Sequence, residues 1–293
     1  MKIALTTGAL AAGWAAFAII GDSWATLGVA VFLGATFTQV AMVGHDAGHQ
    51  QVFRSRSANW LLGLVVANAL IGVSFGWWVP KHNAHHAHPN EVDRDPDIGD
   101  GLPPWQARLF FPLMVLRSTG MHVLGVAHVL RRRDRAAAVE GLLIAAHIVL
   151  YLTAVFWVLT PTKALAFIAV QQAIFSLYLG CSFAPNHKGM PVIDGATEMS
   201  FVEQQVTTAR NISGGRFVNF LLGGLNYQIE HHLFPTMPRP NLAHAQGIIR
   251  PFCIASGLGY REDNLVGSYR QIVRHLRVVA GDWVIGATAT TDA

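Results

Sequence analysis

Three short strings place histidines at helical spacing. His45-Asp46-Ala47-Gly48-His49 carries a pair at i and i+4, and His82-Asn83-Ala84-His85-His86 a triplet at i, i+3 and i+4. Gln228-Ile229-Glu230-His231-His232 repeats the triplet spacing with glutamine in the first place. Residues three and four apart share a helix face, so each string would present its side chains together. An eighth histidine, His187, stands in Ala184-Pro185-Asn186-His187-Lys188-Gly189. These four places hold eight of the chain's 14 histidines. A lone histidine near a membrane is commonly a hydrogen-bonded structural residue, but burying many imidazoles together is costly unless something coordinates them. Imidazole suits Zn, Cu, Fe and Ni. One zinc takes about three or four protein ligands, so eight histidines point to two ions with roughly three to five ligands each. Neither the Glu-x-x-His pairs of soluble di-iron bundles nor the His-Glu-x-x-His of zinc proteases is present, so the expected site is nitrogen-rich.

The elements that must hold these strings are apolar. Of 293 residues, 52% are hydrophobic and 13% charged, against about 25% charged in a soluble domain, so lipid must cover much of the surface. Stretches long enough to approach the ~20 residues of a bilayer span are Ile3–Ile20, Trp24–Val43, Trp60–Val79, Leu109–Leu130, Val139–Thr160 and Ala164–Ala184. The first also has signal-peptide traits, with Lys2 before an apolar run, but the tight polar turn Gly21-Asp22-Ser23 and the span that follows favour a retained helical hairpin. Two histidine strings flank Trp60–Val79. If both serve one centre they share a membrane side, and this stretch must be re-entrant or buried against the membrane face. Leu109–Leu130, with Arg117, His122 and His128, reads as an interfacial helix. Val139–Thr160 and Ala164–Ala184 form a second hairpin turned by Pro161-Thr162-Lys163.

The fold expected is therefore all-α and integral to the membrane, a single domain over residues 1–293. Four transmembrane helices (about 3–20, 24–43, 139–160 and 164–184) make two hairpins, and a helical cap (45–135 and 186–283) carries the metal site. The net charge is +4, and the densest basic run is Arg131-Arg132-Arg133-Asp134-Arg135. Beside a span, that run is a cytoplasmic anchor and not a nucleic-acid patch, and it puts every histidine string on the cytosolic side. Two cysteines, Cys181 and Cys253, exclude a disulfide framework and a Cys-based metal site. The Ala- and Thr-rich tail from Ile285 is expected to fray, and the wealth of Ala, Gly and Arg hints at a bacterial cell membrane.

The boxes HDAGH, HNAHH and QIEHH, in this order, resemble the membrane fatty acid desaturase family. The string Asn226 to Pro235 (NYQIEHHLFP) is similar to its front-end and acyl-lipid branch, as are Asp93-Arg94-Asp95-Pro96-Asp97 and Phe201-Val202-Glu203-Gln204-Gln205. The likeness covers roughly residues 24–250. It implies a di-iron centre that uses O2 and two electrons to remove hydrogens from neighbouring methylenes, giving a cis double bond and water. It implies as iron ligands His45, His49, His82, His85, His86, His187, His231 and His232. Gln228, where some relatives have histidine, is implied to be a weak or water-mediated ligand or a hydrogen-bonding neighbour. Asp46, Asp93, Asp95, Asn186 and Glu230 are candidates to hydrogen-bond the ligand histidines.

Many relatives with glutamine in the third box carry a fused cytochrome b5 domain with a His-Pro-Gly-Gly motif. That motif is missing from these residues, so electrons are expected from a separate donor, a ferredoxin or cytochrome b5 type protein with its reductase. The substrate expected is an acyl lipid or acyl-CoA. Hydroxylation on the same centre is the nearest rival. A metal transporter is the rival of another class, disfavoured because transporters set their ligands at mid-membrane. Of the remaining histidines, His147 is expected to pack within its span. His88, His122 and His128 could line the site or lie beside it, and His244 and His275 are expected to be solvated.

Overall fold

A computed structural model describes residues 2–98, 104–195 and 197–289. In chain order the helices are α1 (Lys2–Ile20), α2 (Thr26–Gly48), α3 (Arg56–Gly63), which runs into a π-helical segment Leu64–Leu70, and α4 (Phe75–Ala87). Then come α5 (Pro104–Arg108), α6 (Phe110–Met114), α7 (Arg117–Arg131), α8 (Arg135–Val158), α9 (Pro161–His187) and α10 (Phe201–Thr207). Strand β1 (Asn211–Ser213) is followed by α11 (Gly215–Leu221), α12 (Gln228–Leu233), α13 (Leu242–Ala255), β2 (Glu262–Asn264) and α14 (Leu265–Ala289). Among the described residues, four helices are long and apolar enough to cross a membrane: α1, α2, α8 and α9. These are the four expected spans of an integral membrane protein. The chain divides into two compact units, Met1–Pro80 with Met114–Gly180, and Lys81–Leu113 with Cys181–Ala293.

The first unit holds the apolar hairpins. Small residues let α2 approach α9: a Cβ at Gly34 would stand 2.7 Å from the Gln171 carbonyl oxygen and 2.8 Å from Ile174 Cβ. Asp134 starts α8 by accepting the Ala137 N–H at 2.9 Å, the usual N-cap arrangement. Leu142, Leu150 and Trp157 of α8 are at least 70% exposed, as lipid-facing residues must be. The two hairpin turns are joined, since the Asp22 carboxylate accepts the Thr160 N–H at 3.0 Å and pairs with Lys163. The second turn is one step earlier than expected. It lies at Leu159–Thr160, and Pro161 opens α9, where its missing N–H costs nothing.

The stretch Trp60–Val79 does not run straight. Arg56–Leu70 and Phe75–Ala87 meet at 116°. Asn68 Oδ1 takes the Phe75 N–H at 3.1 Å, Ser74 Oγ takes the Trp77 N–H at 3.1 Å, and Gly72 adopts a positive φ of 72°. Behind the bend, Glu140 of α8 is buried. Its carboxylate accepts from the Ser74 hydroxyl (2.7 Å), the Gly76 N–H (2.9 Å) and the Asn68 amide (3.2 Å), with Arg132 at 3.6 Å. The expected interfacial helix Leu109–Leu130 is also divided, into α6 and α7. The Ser118 N–H goes to Ser176 Oγ at 3.0 Å and so cannot continue α6.

The second unit has a small core of Val206, Ala209, Ile229 and Cys253 among its short helices, and it includes the long helix α14. Among the described residues it departs from an all-helical chain at the parallel pair β1–β2, in register Asn211 with Glu262, and at an isolated parallel bridge between Glu91 and Ile193. The tail expected to fray from Ile285 continues α14 to Ala289, and residues 290–293 lie outside the described residues.

Candidate metal centre

Seven histidines of the four strings are buried, and His187 is half-buried. In the first unit, His45 and His49 share one face of the last turn of α2, ring centroids 4.6 Å apart, with Trp78 packed on His45 at 5.6 Å. Asp46 Oδ1 lies 3.9 Å from His45 Nδ1.

The second unit brings the other six together in two groups. In α4, His82 and His86 turn Nε2 to Nε2 at 3.2 Å. His231 of α12 stands 4.8 Å from His86 by ring centroid. One ring nitrogen from each of the three lies within 4.8 Å of the others. His85, about 100° further round α4 than its neighbour, joins His187 from the end of α9 and His232 from α12. Their nitrogens likewise lie within 4.8 Å of one another.

The partners of this second group fix its tautomers. His85 Nδ1 is 2.9 and 3.0 Å from the two carboxylate oxygens of Asp95. His187 Nδ1 donates to the Thr208 carbonyl at 3.1 Å. His232 Nδ1 donates to Gln205 Oε1 at 2.9 Å, an oxygen because the Gln205 amide nitrogen is spent on the His86 carbonyl at 3.1 Å. All three partners only accept, so in each neutral ring Nδ1 carries the hydrogen and Nε2 is an acceptor. Yet His187 Nε2 and His232 Nε2 face each other at 3.2 Å. Protonation does not relieve this, because burial, with the neighbouring imidazoles, holds His232 well below the usual histidine range. Converging lone pairs with their far nitrogens tied to oxygen are the arrangement a metal cation needs, and the second-nitrogen partners are those that orient metal-bound imidazoles. The residues present fit a metal.

Gln228 sits at the edge of this group. Its amide nitrogen donates to His187 Nε2 at 3.0 Å, and its oxygen accepts from Asn186 Nδ2 at 3.0 Å. Asn186 therefore touches Gln228 and not an imidazole. Asp95 is held by the N–H groups of Asn90 (2.7 Å) and Asp97 (2.9 Å) as well as by His85. Burial raises its pKa, but these hydrogen bonds outweigh it and leave the carboxylate below its ordinary value. Glu230 turns away from the histidines to the Asn211 amide (2.6 Å) and the Tyr260 hydroxyl (2.8 Å), and burial lifts its pKa. Asp93 is exposed, at φ 63°.

The other histidines stand apart from both groups. His88 pairs with Glu91, His122 with the Gly72 carbonyl, His147 with the Ala69 carbonyl, and His128 with Arg132. His244 is exposed and His275 half-buried. Sequence reasoning missed Gln205 and Thr208 as partners of ligand candidates. Gln205 lay in a string already similar to the desaturases, whereas Thr208 acts through its backbone and leaves no side-chain signal.

The fatty acid desaturase profile matches residues 22–264. Similar proteins include an acyl-lipid (9-3)-desaturase of Physcomitrium patens, 34% identical over 87% of this chain and 54% of its own length. A delta(5) fatty acid desaturase, fat-4, of Caenorhabditis elegans is 29% identical over 86% of this chain and 63% of its own length. A delta 8-(E)-sphingolipid desaturase of Kluyveromyces lactis is 27% identical over 90% and 52%. The chain thus spans between about half and two thirds of the length of these relatives.

Proposed function

The chain belongs to the fatty acid desaturase family, and on that premise we propose that it is an oxidoreductase that holds two iron ions on its histidines and introduces a cis double bond into an acyl chain. The observation that carries this reading is the trio His85, His187 and His232, each with one nitrogen tied to an oxygen and the other turned toward its fellows. The ligand set we assign is His45, His49, His82, His85, His86, His187, His231 and His232. Iron bound there would supply the oxidising power, drawn from O2 and two electrons, that removes hydrogens from two neighbouring methylenes.

The chain's own residues prepare that chemistry. Asp95 orients His85 and makes its free nitrogen a better donor of electrons. Gln205 ties the His232 ring to the backbone of His86, so a member of one group is braced against the other. Gln228, held by Asn186, sets its amide beside His187 Nε2, and we assign it the role of a neighbour of the ligands whose N–H would turn aside from that lone pair where iron binds. Burial of the imidazoles keeps bulk water from the reacting atoms.

We take the substrate to be an acyl lipid or acyl-CoA, and the donor to be a separate ferredoxin or cytochrome b5 type protein with its reductase. The site is assigned to the cytoplasmic face of a bacterial cell membrane. The joined hairpin turns support that side, because they leave Arg131, Arg132, Arg133 and Arg135 at the opposite end of the first unit, where the positive-inside rule calls for cytoplasm. The relatives named above are eukaryotic, and the bacterial assignment rests on composition alone.

The test is expression in a host of known lipid profile with such a donor, followed by mass spectrometry of the fatty acids and a metal count on the purified chain. A new double bond, lost in His86→Ala, with about two irons per chain, is the expected result. A new hydroxyl group would replace desaturation by hydroxylation, and metal uptake without lipid change would replace both by transport.

A further inference from the structure

The outer face of α14 is basic. Between Leu265 and Val279 the helix carries Arg270, Arg274 and Arg277 and no carboxylate. The spacing i, i+4, i+7 puts the three on one stripe, and all three are exposed. Among the described residues, none of them makes an ion pair. The opposite face is used by the protein, with Ser268, Ile272 and Leu276 buried.

That inner face leads to the candidate metal centre. Gln271 Oε1 accepts from Arg210 Nη1 at 2.5 Å. The same guanidinium, itself buried, donates to the carbonyls of Pro185 (2.9 Å from Nε) and Lys188 (3.0 Å from Nη2), and the Arg210 N–H donates to the Asn186 carbonyl at 2.9 Å. Arg210 thus clasps the end of α9 on both sides of His187. Gly189 lies directly against α14: a Cβ there would stand 3.4 Å from the Gln271 carbonyl oxygen and 3.5 Å from His275 Cβ. From the arginine stripe to the His187 turn is one helix thickness, about 10 Å, crossed by bonded groups.

We propose that the Arg270–Arg274–Arg277 face of α14 is the docking surface for an acidic, soluble electron-donor protein, whose electrons enter at the His187 side of the centre. The proposal rests on the desaturase reading, which requires a donor. Charge complementarity selects the partner. Three guanidinium groups with no acid among them attract a carboxylate-rich surface and raise its encounter rate. A membrane-lying helix would instead keep a broad apolar face for lipid; here Ile272 and Leu276 are buried in the protein, and among the described residues only Val266 and Val278 stand exposed beside the arginines.

The experiment measures binding, independently of turnover. The full chain in nanodiscs of neutral lipid is titrated with two acidic probes, a plant-type ferredoxin and the haem domain of a cytochrome b5, at low and high salt. The parent is expected to bind one of them, with affinity that falls as salt rises. Arg270→Glu/Arg274→Glu/Arg277→Glu should weaken that affinity tenfold or more, and Arg274→Glu alone should weaken it in the same direction while iron content and thermal midpoint hold. Arg216→Glu, an exposed arginine on α11, should bind as the parent does. Failure of the parent to bind either probe, equal weakening by Arg216→Glu, or unchanged binding by the triple variant would overturn the proposal. So would a triple variant that loses affinity for phosphatidylserine vesicles and not for the probes, which would make the stripe a lipid-headgroup contact. A parent that binds the probe in this way but makes no double bond would remove the desaturase reading and leave the docking surface standing.

Discussion

Two histidines in each unit are anchored in the same way and do different things. In the first unit, His122 and His147 rest Nδ1 on the carbonyls of Gly72 (2.9 Å) and Ala69 (3.0 Å). In the second, His187 and His232 rest Nδ1 on the Thr208 carbonyl (3.1 Å) and Gln205 Oε1 (2.9 Å). The anchor is common to both. What differs is the other side of the ring: His147 stacks on Tyr151 at 5.9 Å, whereas His187 and His232 aim at each other. An oxygen behind an imidazole is thus compatible with plain packing, and convergence of the remaining nitrogens is what marks a ligand.

The comparison breaks most severely at the convergent pair. His232→Ala is expected to lower product formation by at least about 100-fold, beyond the cost of losing an outer partner, and to lower the iron count, read by elemental analysis. Next is the anchor itself. Asp95→Ala should cost about 10- to 100-fold in metal affinity, measured by Fe(II) titration of the metal-free chain, with His85 still in place. In the first unit the corresponding loss should be one of stability only. Glu140→Ala leaves three donors without their acceptor and should cost about 3 kcal/mol, read from denaturation in detergent. Smallest is His147→Phe, which removes one hydrogen bond to Ala69 and should cost about 1 kcal/mol with the iron count unchanged. An iron loss in His147→Phe as large as in His232→Ala would erase the distinction between the two pairs.

Much of this was legible in the residues. The four spans followed from apolar length, and the boxes from helical spacing, since both depend on neighbours in sequence. The split of box two followed less easily: i, i+3, i+4 puts His82, His85 and His86 on one broad face, but which of them meets His187 depends on where α9 ends. Glu230 and Asn186 read as candidates to hydrogen-bond the ligand histidines, yet Glu230 meets Asn211 and Tyr260 and Asn186 meets Gln228, from segments up to 42 residues away. Glu140 passed unremarked, although a lone carboxylate near an apolar span is a signal in its own right. The break before α7 left no trace in composition, because a hydroxyl on α9 makes it.

The bend at residues 71–74 bears on how the chain is made. Its donors on Asn68, Ser74 and Gly76 all end on a carboxylate between 64 and 72 residues downstream. A ribosome emits Trp60–Val79, hydrophobic enough to be handed to the membrane, well before Glu140 exists. Within lipid, each unsatisfied polar group costs several kcal/mol. The bent segment can therefore mature only after α8 has been delivered, and the order of synthesis makes the third crossing the step that closes the bend.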